Sequence, residues 1–158
     1  DAITAVINSM DQIRFVLLRI LPALTIISAL FVCWLNLLVA KPVLTGRALP
    51  YPDFGALRLW RAPDLAIWLL IGSGLTMLLP NNGLKLIGVN GLLVVLTIYF
   101  FQGIAIVSFY FEKKKMPRFF RIMLYTLIAL QQIFLLIVIG LGVFDLWLNF
   151  RKIGIKQD

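Results

Sequence analysis

EKKKMPRFFR, residues 112–121, is a short basic segment that lies between two of the longest apolar runs of the sequence. Lysine and arginine at the ends of apolar runs anchor membrane helices to lipid headgroups, and an excess of them marks the cytoplasmic side. The segment therefore predicts a membrane boundary and a turn between two spanning helices.

The composition of the whole chain agrees with an integral membrane protein. Hydrophobic residues make up 61% of the 158 residues, charged residues make up only 14%, and the mean hydropathy is +0.98. A soluble domain has about 45–50% apolar and about 25% charged residues, and a soluble chain of this length leaves about a third of its surface wet. The long apolar runs then favour an all-α, polytopic transmembrane fold.

Apolar runs of spanning length predict about four transmembrane helices in a single domain, with short interfacial helices beside them. Residues 1–15 carry apolar side chains at helical spacing, so we expect a helix that lies at the membrane surface or leads into the first span. Pro22 is expected to kink that span. Because the chain starts at Asp1 without a methionine, we expect residue 1 to follow either a processing or cloning point or an upstream part of a longer protein, of which this chain would be the C-terminal part. The expected spans are residues 16–40, 64–79, 84–111 and 120–143.

The distribution of basic residues predicts the orientation of these spans. Four spans place the 41–63 loop and the 112–121 turn on one side with nine lysines and arginines, and both chain ends on the other side with six. The positive-inside rule then places the loops in the cytoplasm, whereas the basic C-terminal residues oppose this assignment. The same side carries a basic surface that we expect either to dock anionic lipid or a partner, or only to fix topology. This surface comprises Arg58, Arg61, Lys113, Lys114, Lys115, Arg118 and Arg121.

Amide side chains within the spans are the candidates for binding a solute. Polar groups inside a membrane are costly and tend to be functional, and amides offer paired donors and acceptors to a neutral or zwitterionic solute. The alternative is that they hydrogen-bond neighbouring helices, which contributes about 0.6–2 kcal/mol each. A cavity that holds Gln102 and Gln131 favours the first hypothesis, and dry packing favours the second. The candidates are Asn90, Gln102, Gln131 and Gln132.

Catalysis, metal binding and nucleic-acid binding are not expected. The sequence has no histidine and a single cysteine, Cys33. The acids Asp53, Asp64, Glu112 and Asp145 fall at loop or interface positions, so convergent carboxylates and an intramembrane proton carrier are lacking. The net charge of +8 is concentrated at the ends of apolar runs, as in a membrane protein. We expect no enzyme activity, no cofactor and no metal, with membrane lipids and a membrane protein or oligomer as partners.

Three segments of the sequence together resemble a known family. They are RLWRAPDLAIWLL, FFQGIAIVSFYFEKKKMPRFFR and LGVFDLWLNFRK. In order and spacing, over roughly residues 55–152, they resemble the C-terminal half of the YybS-like family of predicted bacterial multi-pass membrane proteins, whose function is unknown. The positions that carry the resemblance are Arg58, Pro63, Gly103, Lys115, Pro117, Arg118, Asp145, Trp147 and Arg151.

This resemblance implies a protein of the bacterial cytoplasmic membrane with more spans than this chain contains. It also implies kinship with the substrate-binding subunits of vitamin-uptake transporters of the energy-coupling type. The small-residue stripe that those subunits often carry is absent here. Two hypotheses follow: a solute-binding transporter component whose site is lined by the amides of the third and fourth spans and, as the alternative, a structural or assembly subunit of a membrane protein complex.

Overall fold

The computed structural model describes residues 2–47, 50 and 55–151, and its regular elements are helical. The predicted all-α fold is thus confirmed. A short 3-10 helix, Leu57–Leu59, precedes the second of five α-helices in this part of the chain. The α-helices are α1 (Ala2–Gly46), α2 (Leu65–Leu78), α3 (Asn82–Lys113), α4 (Arg118–Leu130) and α5 (Gln132–Leu148).

Two of the described helices, α1 and α3, are long and apolar enough to cross a membrane. α4 and α5 form a third such element if they are counted together, but their axes are bent by 101°. α2 has 14 residues, fewer than the roughly 20 of a straight span. Four spans therefore stay a prediction, and the expected span of residues 120–143 consists of two helices rather than one.

The predicted N-terminal helix and first span form one continuous helix. α1 has 45 residues with Pro22 and Pro42 inside it, and it is about 68 Å long at 1.5 Å per residue. Only 6% of the residues in its most apolar 18-residue stretch are buried. Apolar side chains along α1 are therefore turned outward, as expected for a helix that contacts lipid or another protein.

The chain divides into two compact units. Unit 1 comprises Asp1–Tyr51 and Leu69–Val94, and unit 2 comprises Pro52–Trp68 and Val95–Asp158. Among the residues that the structure describes, every buried hydrophobic side chain except Ala23 belongs to unit 2. The core of the protein therefore lies in unit 2, around the second half of α3.

In unit 1, the turn between α2 and α3 is short and the two helices approach closely. Asn81 Oδ1 accepts the N–H of Gly83 at 2.8 Å, so this asparagine satisfies a free donor at the start of α3. Gly88 lies against α2, where an added Cβ would be 2.8 Å from the carbonyl oxygen of Ser73 and would also meet Thr76. A glycine at this position permits close packing of the two helices.

In unit 2, the basic turn between α3 and α4 is a Schellman motif. The N–H of Met116 donates to the carbonyl of Phe111, and the N–H of Lys115 donates to the carbonyl of Glu112, both at 3.0 Å. Lys115 has a φ of 48°, a left-handed conformation that glycine usually supplies at the end of a helix. Pro117 then directly precedes α4. The turn predicted from the sequence is thus short and well defined.

Candidate functional site

α3 and α5 touch through two glycines in unit 2. A Cβ added to Gly103 would contact the carbonyl oxygen of Val138, and one added to Gly142 would contact the carbonyl oxygen of Tyr99. Both contacts are closer than real Cβ atoms make. Small residues at these two points therefore let the helix backbones meet.

A buried polar cluster lies between these helices and comprises Gln102, Asp145 and Arg151, which are 1%, 1% and 5% exposed. Arg151 Nη2 donates to Asp145 Oδ2 at 2.8 Å and forms a buried ion pair. Gln102 Nε2 donates to the same oxygen at 3.0 Å, and the N–H of Phe150 donates to Asp145 Oδ1 at 2.9 Å. The carboxylate therefore accepts hydrogen bonds from three donors.

The buried polar cluster also holds the segment that precedes α2. Arg151 Nη1 donates to the carbonyl oxygens of Arg58 and Trp60, both at 2.9 Å. Gln102 Oε1 accepts the N–H of Ala62 at 3.1 Å. Backbone groups outside regular helices need such partners when they are buried. The cluster thus joins α3, α5 and the 58–62 segment.

A left-handed residue after α5 brings Arg151 back to Asp145. Asn149 has a φ of 41°, and its N–H donates to the carbonyl of Asp145 at 3.0 Å. This cap ends the helix, so two residues that are six apart in sequence can pair although a continued helix would place them on different faces. Tyr110 Oη donates to the carbonyl of Phe150 at 2.8 Å and fixes the same turn.

Residues 1–146 match the family described as "Predicted membrane protein (DUF2232)". The chain belongs to this family. Membership confirms the predicted resemblance to a membrane protein family of unknown function, and the match also covers N-terminal residues that lie outside the 55–152 motifs. No curated protein and no solved structure gives a significant match to this DUF2232 family member.

Two expectations from the sequence are wrong at the buried polar cluster. Asp145 was expected to be a solvated acid at a loop or interface position, but its side chain is buried and paired with Arg151. Arg151 was expected on the opposite side from the basic turn, but it binds the carbonyl of Arg58, whose side chain pairs with Glu112. The C-terminal ends of α3 and α5 therefore lie at the same end of unit 2. The signal for this contact was the resemblance itself, because Arg58, Asp145 and Arg151 are among the positions that carry it.

Gln102 is the predicted site residue that the structure places in the buried polar cluster. Gln131 and Gln132 lie at the bend between α4 and α5, and both are exposed. The hydrogen bonds that the structure shows for the Gln102 side chain are to Ala62 and Asp145, and not to Gln131. Binding of a solute by these glutamines stays a prediction.

Asn90 lies in unit 1, where it binds α1 beside Pro22. Its Oδ1 accepts the N–H of Ala23 at 2.9 Å, and its Nδ2 donates to the carbonyls of Arg19 at 2.9 Å and Leu86 at 2.8 Å. Ala23 and Arg19 are the pair that would bond to each other in an uninterrupted helix. Asn90 thus supports α1 next to its proline, and a role in binding a solute stays a prediction.

Three of the seven basic residues predicted for docking make internal hydrogen bonds or ion pairs in unit 2. Arg121 Nε donates to the carbonyl of Met116 at 2.9 Å, and its Nη2 donates to that of Phe111 at 3.2 Å. Arg58 pairs with Glu112, as described above. Arg61 Nη2 lies 3.4 Å from a backbone carbonyl of α5. The other four are exposed at the basic turn; they are Lys113, Lys114, Lys115 and Arg118.

Proposed function

We propose that this DUF2232 family member is a structural or assembly subunit of a membrane protein complex and performs no catalytic step. The observation that supports the proposal is that Nε2 and Oε1 of the Gln102 amide are both already hydrogen-bonded within the protein. The amide of Gln102 donates to Asp145 and accepts from Ala62. A solute that took either place would first have to break an internal hydrogen bond, which costs about 1–3 kcal/mol when the group is buried.

The cluster is suited to holding helices in one arrangement. A buried ion pair adds little net stability compared with apolar residues of the same size, whereas separating its partners is strongly unfavourable. Any packing that moved α5 away from the 58–62 segment would break the hydrogen bonds from Arg151 Nη1 to the carbonyls of Arg58 and Trp60 and leave these polar groups without partners. The cluster therefore favours a single geometry over alternatives of similar apolar burial.

The outward-facing apolar surface of α1 supports an assembly role. Only 6% of its most apolar stretch is buried, so this surface is available to a partner. The proposed location is the bacterial cytoplasmic membrane, which the YybS-like resemblance implies. The basic end of unit 2 would face the cytoplasm. The presence of Arg151 at the same end as Arg58 and Lys113–Lys115 supports that orientation through the positive-inside rule.

Solute binding is the second candidate function, and one atom favours it. Arg151 Nε is buried and has no hydrogen-bond partner among the described residues. A buried polar atom without a partner is unfavourable by about 1–3 kcal/mol, and an oxygen of a solute or an ordered water beside Nε would remove this cost. Such a chain would be a transporter component similar to the vitamin-uptake subunits that the resemblance implies.

Native mass spectrometry of the purified full-length protein separates the two functions. The test compares the wild type with Asp145→Leu/Arg151→Met, which removes both charges, and with Asn36→Leu, which changes an exposed amide of α1. We expect a stoichiometric protein complex that all three forms retain, without a small molecule. A small molecule of constant mass that binds the wild type and the Asn36 variant, but not the double variant, would contradict the assembly role and support solute binding.

The exposed basic residues of the turn complete the proposal as a contact for anionic lipid headgroups. Each basic residue near an anionic membrane surface contributes about 1 kcal/mol. Replacing Lys113, Lys114, Lys115 and Arg118 by glutamine should lower the number of anionic lipids that remain bound in native mass spectra, while Lys85→Gln in unit 1 should not. Equal lipid retention in both variants would show that the turn does not select anionic lipid.

A further inference from the structure

The bend between α4 and α5 leaves backbone groups without helical partners. Gln131 has extended backbone angles, φ −110° and ψ 112°. Across the bend the described residues make two backbone bonds, from the N–H of Gln131 to the carbonyl of Leu127 at 2.8 Å and from the N–H of Leu135 to the carbonyl of Gln131 at 3.3 Å. The N–H groups of residues 132–134 and the carbonyls of residues 128–130 therefore do not bond to one another.

Side chains at the same bend add further polar groups. Gln131 and Gln132 are both exposed, and neither side-chain amide has a hydrogen-bond partner within the described part of the chain. Large apolar side chains surround them, since Leu130 is 78%, Ile133 is 64% and Leu136 is 59% exposed. We call the exposed residues 129–133 and Leu136 the bend patch; it is an apolar surface with unpaired amides at its centre.

The position of the bend patch explains why its amides need a partner. α4 has 13 residues and is about 20 Å long, so the bend lies within about 20 Å of the basic turn. The hydrocarbon core of a bilayer is about 30 Å thick. Inside the hydrocarbon core, backbone that is not helical occurs only where protein or a water-filled cavity covers it. Lipid chains offer neither donors nor acceptors.

We propose that a second copy of this chain covers the bend patch, with the two copies related by a two-fold axis. A primary amide is both donor and acceptor, so Gln131 and Gln132 can pair with the same residues of another copy. The patch also presents free N–H groups from α5 beside free carbonyls from α4. A surface that carries both kinds of group is self-complementary, as a two-fold interface requires. The inference rests on the assembly role and names its partner.

Disulfide crosslinking in native membranes tests this pairing. The single cysteine is first removed as Cys33→Ser, and Gln131→Cys is then introduced. The matched control is Ile122→Cys, because Ile122 is 66% exposed on α4 and lies about two and a half turns before Gln131, on the opposite face of the helix. We expect a crosslinked dimer from Gln131→Cys and none from Ile122→Cys. Absence of the dimer from Gln131→Cys overturns the inference.

A second variant tests the amides themselves without a crosslink. Gln131→Leu/Gln132→Leu keeps the apolar surface, and we expect the dimer to dissociate about tenfold more readily, since amide pairs between membrane helices are modest in strength. A dimer of unchanged affinity overturns the inference. A monomer bound to a different protein also overturns it but leaves the assembly role standing, whereas a monomer that retains a small molecule overturns both.

Discussion

Asp145→Asn removes the charge from the buried ion pair while nearly keeping the shape of the side chain. Arg151, which is 5% exposed, then stays buried without a counter-ion. The paired atoms are 2.8 Å apart, and charge centres about 4 Å apart attract by about 4 kcal/mol at an effective dielectric constant of about 20. Removing one partner of a buried pair costs about 3–5 kcal/mol. We therefore expect Asp145→Asn to lower the free energy of unfolding by about 3–5 kcal/mol.

Thermal unfolding in detergent micelles, followed by circular dichroism, measures this loss. Each kcal/mol corresponds to about 2–4 °C for a chain of this size, so the Tm should fall by about 6–20 °C. Asp64→Asn is the control, because Asp64 is exposed and should shift the Tm by no more than about 2 °C. Asp145→Leu/Arg151→Met removes both charges, but it also leaves the carbonyls of Arg58 and Trp60 without their Arg151 bonds, so it should not return the Tm to that of the wild type. A loss below about 1 kcal/mol for Asp145→Asn would refute the reasoning.

Three further substitutions test contacts elsewhere in the two units. Gly142→Ala should destabilise the protein by about 1–3 kcal/mol in thermal unfolding, because its Cβ would meet a carbonyl of α3. Gly140→Ala, with open space around it, should not destabilise the protein. Equal effects would contradict the close contact of α3 and α5 at Gly142. Asn90→Ala should cost about 1–3 kcal/mol in denaturant unfolding by leaving backbone groups of α1 without a side-chain partner, against little change for Asn36→Ala. Lys115→Gly should raise the Tm, since it relieves about 1–2 kcal/mol of left-handed strain, and a lower Tm would contradict the φ of 48°.

The helices were predictable from the sequence because runs of apolar residues long enough to cross a bilayer indicate transmembrane helices by their length alone. The expected span of residues 84–111 corresponds closely to α3, Asn82–Lys113. The bend at Gln131 was not predictable in the same way. Sharp kinks usually come from proline or glycine, and neither occurs between Arg118 and Ile139, so the local sequence reads as one uninterrupted helix.

The buried polar cluster was predictable only in part. Gln102 stands out because it is an amide inside an apolar run. Asp145 lies near the end of such a run, a position typical of an interfacial acid. Its partner Arg151 follows six residues later, a spacing at which two side chains do not meet on a helix. Their contact depends on the left-handed conformation of Asn149. A sequence shows asparagine as permissive for that conformation but does not show that it is adopted.

The position of the C-terminal end of α5 is the most direct test of this structure. The contact of Arg151 with the carbonyl of Arg58 brings that end beside the basic turn, whereas a single straight span over residues 120–143 would carry it to the other side. Spin labels at Lys114→Cys and Trp147→Cys in a Cys33→Ser protein, reconstituted in bilayers, measure the separation by pulsed electron paramagnetic resonance. The structure predicts a distance well below the roughly 30 Å thickness of the hydrocarbon core. A distance at or above that thickness would contradict it.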